Sequence, residues 1–223
     1  MSLFCLVHGA WHDETCWNPL IEVLESRGHE CLAPRLPLED RNATFPDYAA
    51  VVSSALPEDT DAVLVGHSMS SAVIPLIPGL RSVAQLIYLC PAMAGFELLP
   101  GEPDYKRQGY VGPVKEGGVS RWAPERARVA LYGRLDPDLA ASLAAKLRPQ
   151  PAAPFDAPYP LARPPEIDSA FIYGREDEIF DDGWSRWISR ALLGVEPVEL
   201  PGGHFPMLEH PLLLADALEQ ALL

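Results

Sequence analysis

Short apolar runs recur along this chain at residues 3–7, 30–33, 62–65, 85–90, 169–173 and 195–200. Each is largely apolar on both faces, as a strand in a parallel sheet covered on both sides must be. Helical patterns lie between several of them. Residues 17–27 carry Trp17, Leu20, Ile21 and Leu24 at helical spacing, with Gly28 as a stop. Residues 45–56 hold Pro46 near a first turn, and residues 71–77, 184–193 and 211–222 supply further helices. Alternating strands and helices make βαβ units, so the chain is expected to form an α/β fold around a mainly parallel, doubly wound sheet. Ligands of such sheets bind beyond the carboxyl ends of the strands. His8, Ser68, Pro91 and Asp177 each stand just past an expected strand end, which points to one site along one edge.

The alternation breaks between residues 94 and 166. This stretch is rich in proline and glycine, with Gly117-Gly118 and the prolines of 149–154 and 158–165, yet it keeps helical patterns at 124–132 and 137–147. A long insertion over the ligand-binding edge of a sheet acts as a lid or binding wall. The expected organisation is a core of residues 1–93 and 167–223 with a short helical lid from residues 94–166.

Composition limits what the site can serve. The chain has 223 residues, 48% of them hydrophobic, enough for one α/β domain with an insertion. Its net charge of −14 repels polyanions, so nucleic acid is not an expected partner. No apolar run reaches the ~18 residues of a membrane span, and residues 2–7 lack the length and basic flank of a signal peptide. No membrane association and a cytoplasmic location are therefore expected, as a monomer or homodimer. The four cysteines, Cys5, Cys16, Cys31 and Cys90, have no zinc-ligand spacing. Cys5, Cys31 and Cys90 fall in strand-like runs, where a free thiol packs as a small hydrophobe.

The sharpest local signal is Gly66-His67-Ser68-Met69-Ser70, between the strand-like run that starts at Ala62 and the apolar residues from Ala72. A serine between a strand end and a helix start, flanked by small residues, reads as a nucleophile elbow that lifts its hydroxyl clear of the sheet. Ser70 stands where such elbows usually carry glycine. A serine nucleophile needs a base. His204, in the glycine loop Gly202-Gly203-His204 between the last strand and the last helix, can swing an imidazole over the sheet edge. His210 reads as part of the last helix's start, His29 as exposed, and His67 as pointing away from its neighbour. The imidazole needs a carboxylate to fix its tautomer. Glu176, Asp177 and Glu178 compete after the fifth strand, and the short side chain of Asp177 orients an imidazole with the least freedom. The order Ser68, Asp177, His204 is the order nucleophile-elbow enzymes use. Backbone N–H groups near Gly9-Ala10 and at Met69 are positioned to face a developing oxyanion.

Taken together, these pieces resemble an α/β-hydrolase, and more narrowly the plant methylesterase and hydroxynitrile lyase group with its bacterial relatives. The resemblance rests on Val7-His8-Gly9-Ala10-Trp11 with Trp17 downstream, Gly66-His67-Ser68, Asp177-Glu178-Ile179-Phe180 and Gly202-Gly203-His204, which span most of the chain. It implies an α/β-hydrolase fold, a triad of Ser68, Asp177 and His204, and an oxyanion hole from the N–H groups of Ala10 and Met69. The departures are informative. Lyases of this group carry a threonine where this chain has Gly9 and a lysine where it has Phe205. Neither residue here can hold a cyanohydrin hydroxyl or a cyanide ion, which favours ester chemistry. The insertion is also shorter than the cap of that group.

The expected function is hydrolysis of a small carboxylic ester or thioester through an acyl-enzyme, with no metal or organic cofactor. Trp11, His12, Met93 and Phe205 from the core and Tyr105, Tyr110 and Trp122 from the lid are the expected substrate-binding residues. Non-hydrolytic use of the same triad (acyl transfer, lactonisation or cyclisation) and a ligand receptor with residual hydrolase activity are the alternatives.

Overall fold

The structure is a computed structural model that describes residues 1–97 and 99–222. Strand β1 (Leu3–Val7) leads through a 3-10 turn (Glu14–Trp17) into helix α1 (Asn18–Ser26). Strand β2 (Glu30–Leu32), helix α2 (Phe45–Ala55), strand β3 (Ala62–His67) and strand β4 (Val83–Leu89) follow. Then come the hairpin β5 (Val114–Glu116) and β6 (Val119–Arg121), helices α3 (Pro124–Ala130) and α4 (Pro137–Ala145), the short strand β7 (Gln150–Pro151) and the single turn α5 (Ala153–Asp156). Strand β8 (Ser169–Gly174), α6 (Asp182–Ile188), β9 (Val198–Leu200), α7 (Pro206–Glu209) and α8 (Pro211–Gln220) complete the fold.

The main sheet has six strands in the order β2-β1-β3-β4-β8-β9, all parallel. Every residue of β1 and β3 is buried, as are the last four of β4 and of β8. This explains why their sequences are apolar without alternation: helices cover both faces. The strand order reverses direction beside β1 and β3, so their carboxyl ends open the crevice where a ligand site belongs.

Two expected helices take another form. Residues 71–77 do not continue the elbow as an α-helix. They belong to consecutive 3-10 turns, Ser68–Ala72 and Ile74–Gly79. Pro75 and Pro78 are the physical reason, since each lacks an N–H and its ring crowds the preceding turn. The stretch 184–193 is α-helical only to Ile188, continues as a π turn (Ser189–Leu193), and ends at Gly194 with φ of +69°.

The insertion between β4 and β8 is not purely helical. Besides α3 and α4 it holds a three-stranded antiparallel sheet, β5-β6-β7. Its hairpin turns on Gly117 and Gly118, both with positive φ (56° and 73°), the geometry a two-residue hairpin loop demands. No described helix is long and apolar enough to cross a membrane.

Candidate active site

Ser68 follows β3 directly, with φ of +51°, in the left-handed region that side chains other than glycine rarely enter. Sequence allows this sharp turn by keeping its neighbours small. A Cβ on Gly66 would meet the Ser70 carbonyl at 2.7 Å, and one on Gly9 would meet Ser68 Cβ at 3.0 Å. Ser70 explains its departure from glycine: its fully buried hydroxyl donates to the His8 carbonyl at 2.5 Å. The elbow is thereby tied to the loop after β1.

His204 arrives on the loop after β9. Its ring Nδ1 lies 2.7 Å from Asp177 Oδ2. The other carboxylate oxygen, Oδ1, accepts the backbone N–H groups of Ile179 (2.8 Å) and Phe180 (3.0 Å). Asp177 and His204 are only 2% and 1% exposed. An acid so dry needs its acceptor positions filled, and three donors fill them here. Among the described residues no hydrogen bond joins Ser68 Oγ to the His204 ring.

Neighbours that sequence reading set aside hold this pair. His67 donates from Nε2 to the His204 carbonyl at 2.8 Å, and its ring centre lies 4.8 Å from that of His204. Glu178 is more than a solvated charge, since its Oε2 accepts the His204 N–H at 3.1 Å while its Oε1 pairs with Arg134 at 2.8 Å. Glu209 accepts the Gly203 N–H at 2.8 Å. His29 is half-buried rather than exposed, with its ring against Phe4 and bonded to Glu219. Arg107, from the insertion, donates to the Asp177 carbonyl at 2.8 Å.

The loop after β1 is fixed carbonyl by carbonyl. The His8 oxygen takes the Ser70 hydroxyl, and the Gly9 oxygen takes His8 Nδ1 at 2.9 Å. The Ala10 oxygen takes His12 Nδ1 at 2.7 Å. The oxygens of Trp11 and His12 both go to Arg148, to its N–H at 2.7 Å and its Nη1 at 3.1 Å. The tautomers follow from the partners. Leu36 N–H donates to His8 Nε2, so His8 carries its proton on Nδ1. The Ala10 oxygen can only accept, so His12 donates from Nδ1 and its Nε2 accepts the Tyr132 hydroxyl at 2.5 Å. Burial drives both imidazoles toward the neutral form, pushing His8 down to about 3 and His12 down to about 4. Because a peptide unit is planar, pinning the Gly9 carbonyl also sets the direction of the Ala10 N–H.

A cavity of about 850 Å³ opens between this edge and the insertion. Ala10, Trp11, Ser68, Met69, Met93, Tyr105 and Tyr110 line it, as expected positions go. His12, Trp122 and Phe205 stand behind the wall. His12 is buried against Tyr132 and Phe205, and Trp122 packs edge-on against Trp11 and Tyr110. Phe96, Phe155, Phe180 and Trp184 join the lining and were not foreseen. Cys90 Sγ lies within 4.8 Å of ligand atoms of both Asp177 and His204. Burial, reinforced by the Asp177 charge, raises that thiol well above its ordinary range, which favours the neutral S–H.

A strained serine over the open edge of a parallel sheet, with an acid and an imidazole delivered by the loops after later strands, defines the α/β-hydrolase class. The chain belongs to the alpha/beta hydrolase family, with residues 6–217 matching it. It is 28% identical to a pyrethroid hydrolase of Sphingobium wenxiniae over 96% of this chain and 85% of that protein. It is 26% identical to a carbendazim hydrolyzing esterase of a Nocardioides species, covering 98% of both. Among solved structures, a pyrethroid hydrolase from Sphingobium faniae superposes with a TM-score of 0.79 at 24% identity, over 99% of this chain and 97% of that one. A methylesterase from Arabidopsis gives 0.78 at 23% identity, over 99% and 98%. At those identities the structural matches speak for the fold.

Proposed function

We propose that this protein hydrolyses small carboxylic esters or thioesters through an acyl-enzyme on Ser68. The reading is carried by the buried Asp177–His204 bond of 2.7 Å together with a serine held at positive φ. Relatives named as hydrolases and esterases support it.

In this reading Ser68 Oγ attacks the substrate carbonyl carbon and its proton passes to His204 Nε2. Asp177 keeps the His204 proton on Nδ1, which leaves Nε2 free to accept, and stabilises the imidazolium. The developing oxyanion is met by the N–H groups of Ala10 and Met69, each worth about 2.7–4 kcal/mol in the transition state. The tetrahedral intermediate collapses, the carbon–oxygen or carbon–sulfur bond breaks, and His204 returns its proton to the departing alcohol or thiol. Water then attacks the acyl carbon, gives a proton to His204, and releases Ser68 and the free acid. In this reading the Ser68–His204 hydrogen bond forms when substrate fills the cavity, since catalytic bonds are commonly long or unmade in the free enzyme. Residues 94–166 act as the lid that dries the site, and the cavity's 850 Å³ is roomy enough for a drug-sized ester.

Ser68→Ala tests the reading. Turnover of p-nitrophenyl esters is expected to fall on the order of 10⁴- to 10⁶-fold. A variant that keeps most of its kcat would refute it. Repeated turnover by the unmodified protein separates an enzyme from a receptor that reacts once.

A further inference from the structure

We propose that Arg148 is a positioning residue for the oxyanion site, its guanidinium acting from the insertion through the carbonyl of His12 while its backbone N–H holds that of Trp11. The inference rests on reading Ala10 and Met69 as the oxyanion donors. Arg148 is only 9% exposed, although it lies in the irregular stretch between α4 and β7. Its backbone N–H donates to Trp11 O at 2.7 Å, Nη1 to His12 O at 3.1 Å and Nη2 to Leu36 O at 2.9 Å. Glu39 closes the fork, taking Nε at 3.0 Å and Nη2 at 2.5 Å. One planar guanidinium thus joins the insertion, the loop after β1 and the segment after β2.

The need for such a clamp is visible in Trp11, whose φ is +64°. A residue with a bulky ring persists there only when its surroundings over-determine it. The insertion supplies those surroundings. Besides Arg148, Ser120 Oγ takes the Trp11 indole N–H at 3.0 Å, and Trp122 meets the Trp11 ring edge-on at 5.8 Å. Trp11 adjoins Ala10, so a relaxed Trp11 rotates the backbone that carries the Ala10 donor. Displacing a donor by about 1 Å costs on the order of 100-fold in rate. Lysine cannot replace the fork, because a single ammonium cannot span Glu39 and two carbonyls in one plane.

The test compares Arg148→Ala, Arg148→Lys and Glu39→Gln with the unmodified protein and with Ser68→Ala, using p-nitrophenyl butyrate. Arg148→Ala is expected to lower kcat on the order of 10- to 100-fold with KM nearly unchanged. It is expected to weaken inhibition by an aryl trifluoromethyl ketone, which presents the oxyanion, by the same factor. Added guanidinium should restore part of the kcat. Arg148→Lys and Glu39→Gln should show the same pattern more mildly, and they decide the matter if Arg148→Ala does not fold. Folded variants with unchanged kcat overturn the proposal. So does a kcat loss that leaves ketone affinity intact, since the defect then lies away from the oxyanion. Turnover surviving in Ser68→Ala instead overturns the reading of the site itself, whatever the Arg148 variants do.

Discussion

Asp177 has two jobs on two oxygens, and a single substitution separates them. Oδ1 holds the turn through Ile179 and Phe180, while Oδ2 holds His204. In Asp177→Asn the amide oxygen can still accept from the turn, but its NH₂ then faces the imidazole. That forces the His204 proton onto Nε2, where it blocks proton transfer from Ser68. The variant is expected to melt close to the unmodified protein yet lose about 10⁴-fold in kcat, the scale seen when a triad acid loses its charge. A kcat within tenfold of normal would show that Asp177 does not orient the base. The turn at Ser68 and the Asp177–His204 pair were legible because each residue stands just past a strand end, where short side chains and glycines mark a turn. Arg148 was not. It lies among prolines with no periodic pattern, and its partners at residues 11, 12, 36 and 39 are distant in sequence. The contact of His67 with the His204 loop was not legible either, because sequence does not show which backbone a later loop brings beside a side chain.

At the scale of elements, the crossing of β8 with the His204 loop is the tightest constraint. A Cβ on Gly174 would collide with the Gly203 carbonyl oxygen and approach that of Gly202 to 2.7 Å. Both opposing atoms are backbone, so neither can swing aside. Gly174→Ala is expected to displace the loop, to destabilise the fold by about 1–3 kcal/mol as overpacking does, and to reduce kcat. Urea titration with a parallel ester assay checks it, and unmodified values of both would contradict this packing. The main strands were readable because burial on both faces leaves long apolar runs. The edge strands were shorter than expected: the run at 195–200 yields only Val198–Leu200, with Pro197 unable to donate to a ladder. The small sheet of the insertion escaped detection because its strands are two or three residues long. At that length an apolar pattern cannot repeat, and Gly117-Gly118 reads equally well as a loop.

At the scale of the whole molecule, the site edge stores neutral histidines in a dry core. His8 is pushed to about 3 and His12 to about 4. His67 is driven well below its ordinary 6.5 by burial and by the neighbouring His204. Below pH 6.5 the unfolded chain takes up protons that these folded imidazoles refuse, so stability rises with pH across this window and is lost on acidification. At pH 5 His8 and His12 each contribute a loss of about 2 kcal/mol. Glu39, held down to about 2 by its hydrogen bonds to Arg148, adds to the loss below its ordinary 4.5. Glu209, raised by burial, works the other way. Urea midpoints are therefore expected to fall steadily from pH 7 to pH 4. A flat profile would show that the imidazoles are charged or solvated in the folded state. The sequence could not foretell this, since a histidine's burial depends on what the insertion packs over it.

The covalent step admits the most direct test. Mixing the protein with p-nitrophenyl acetate and quenching in acid within the first turnover traps whatever acyl group has formed. Peptide mass spectrometry then locates it. The expected result is an acetyl adduct on the peptide containing Ser68, absent from Ser68→Ala. An adduct on another residue, or rapid hydrolysis with no adduct at all, would contradict the account.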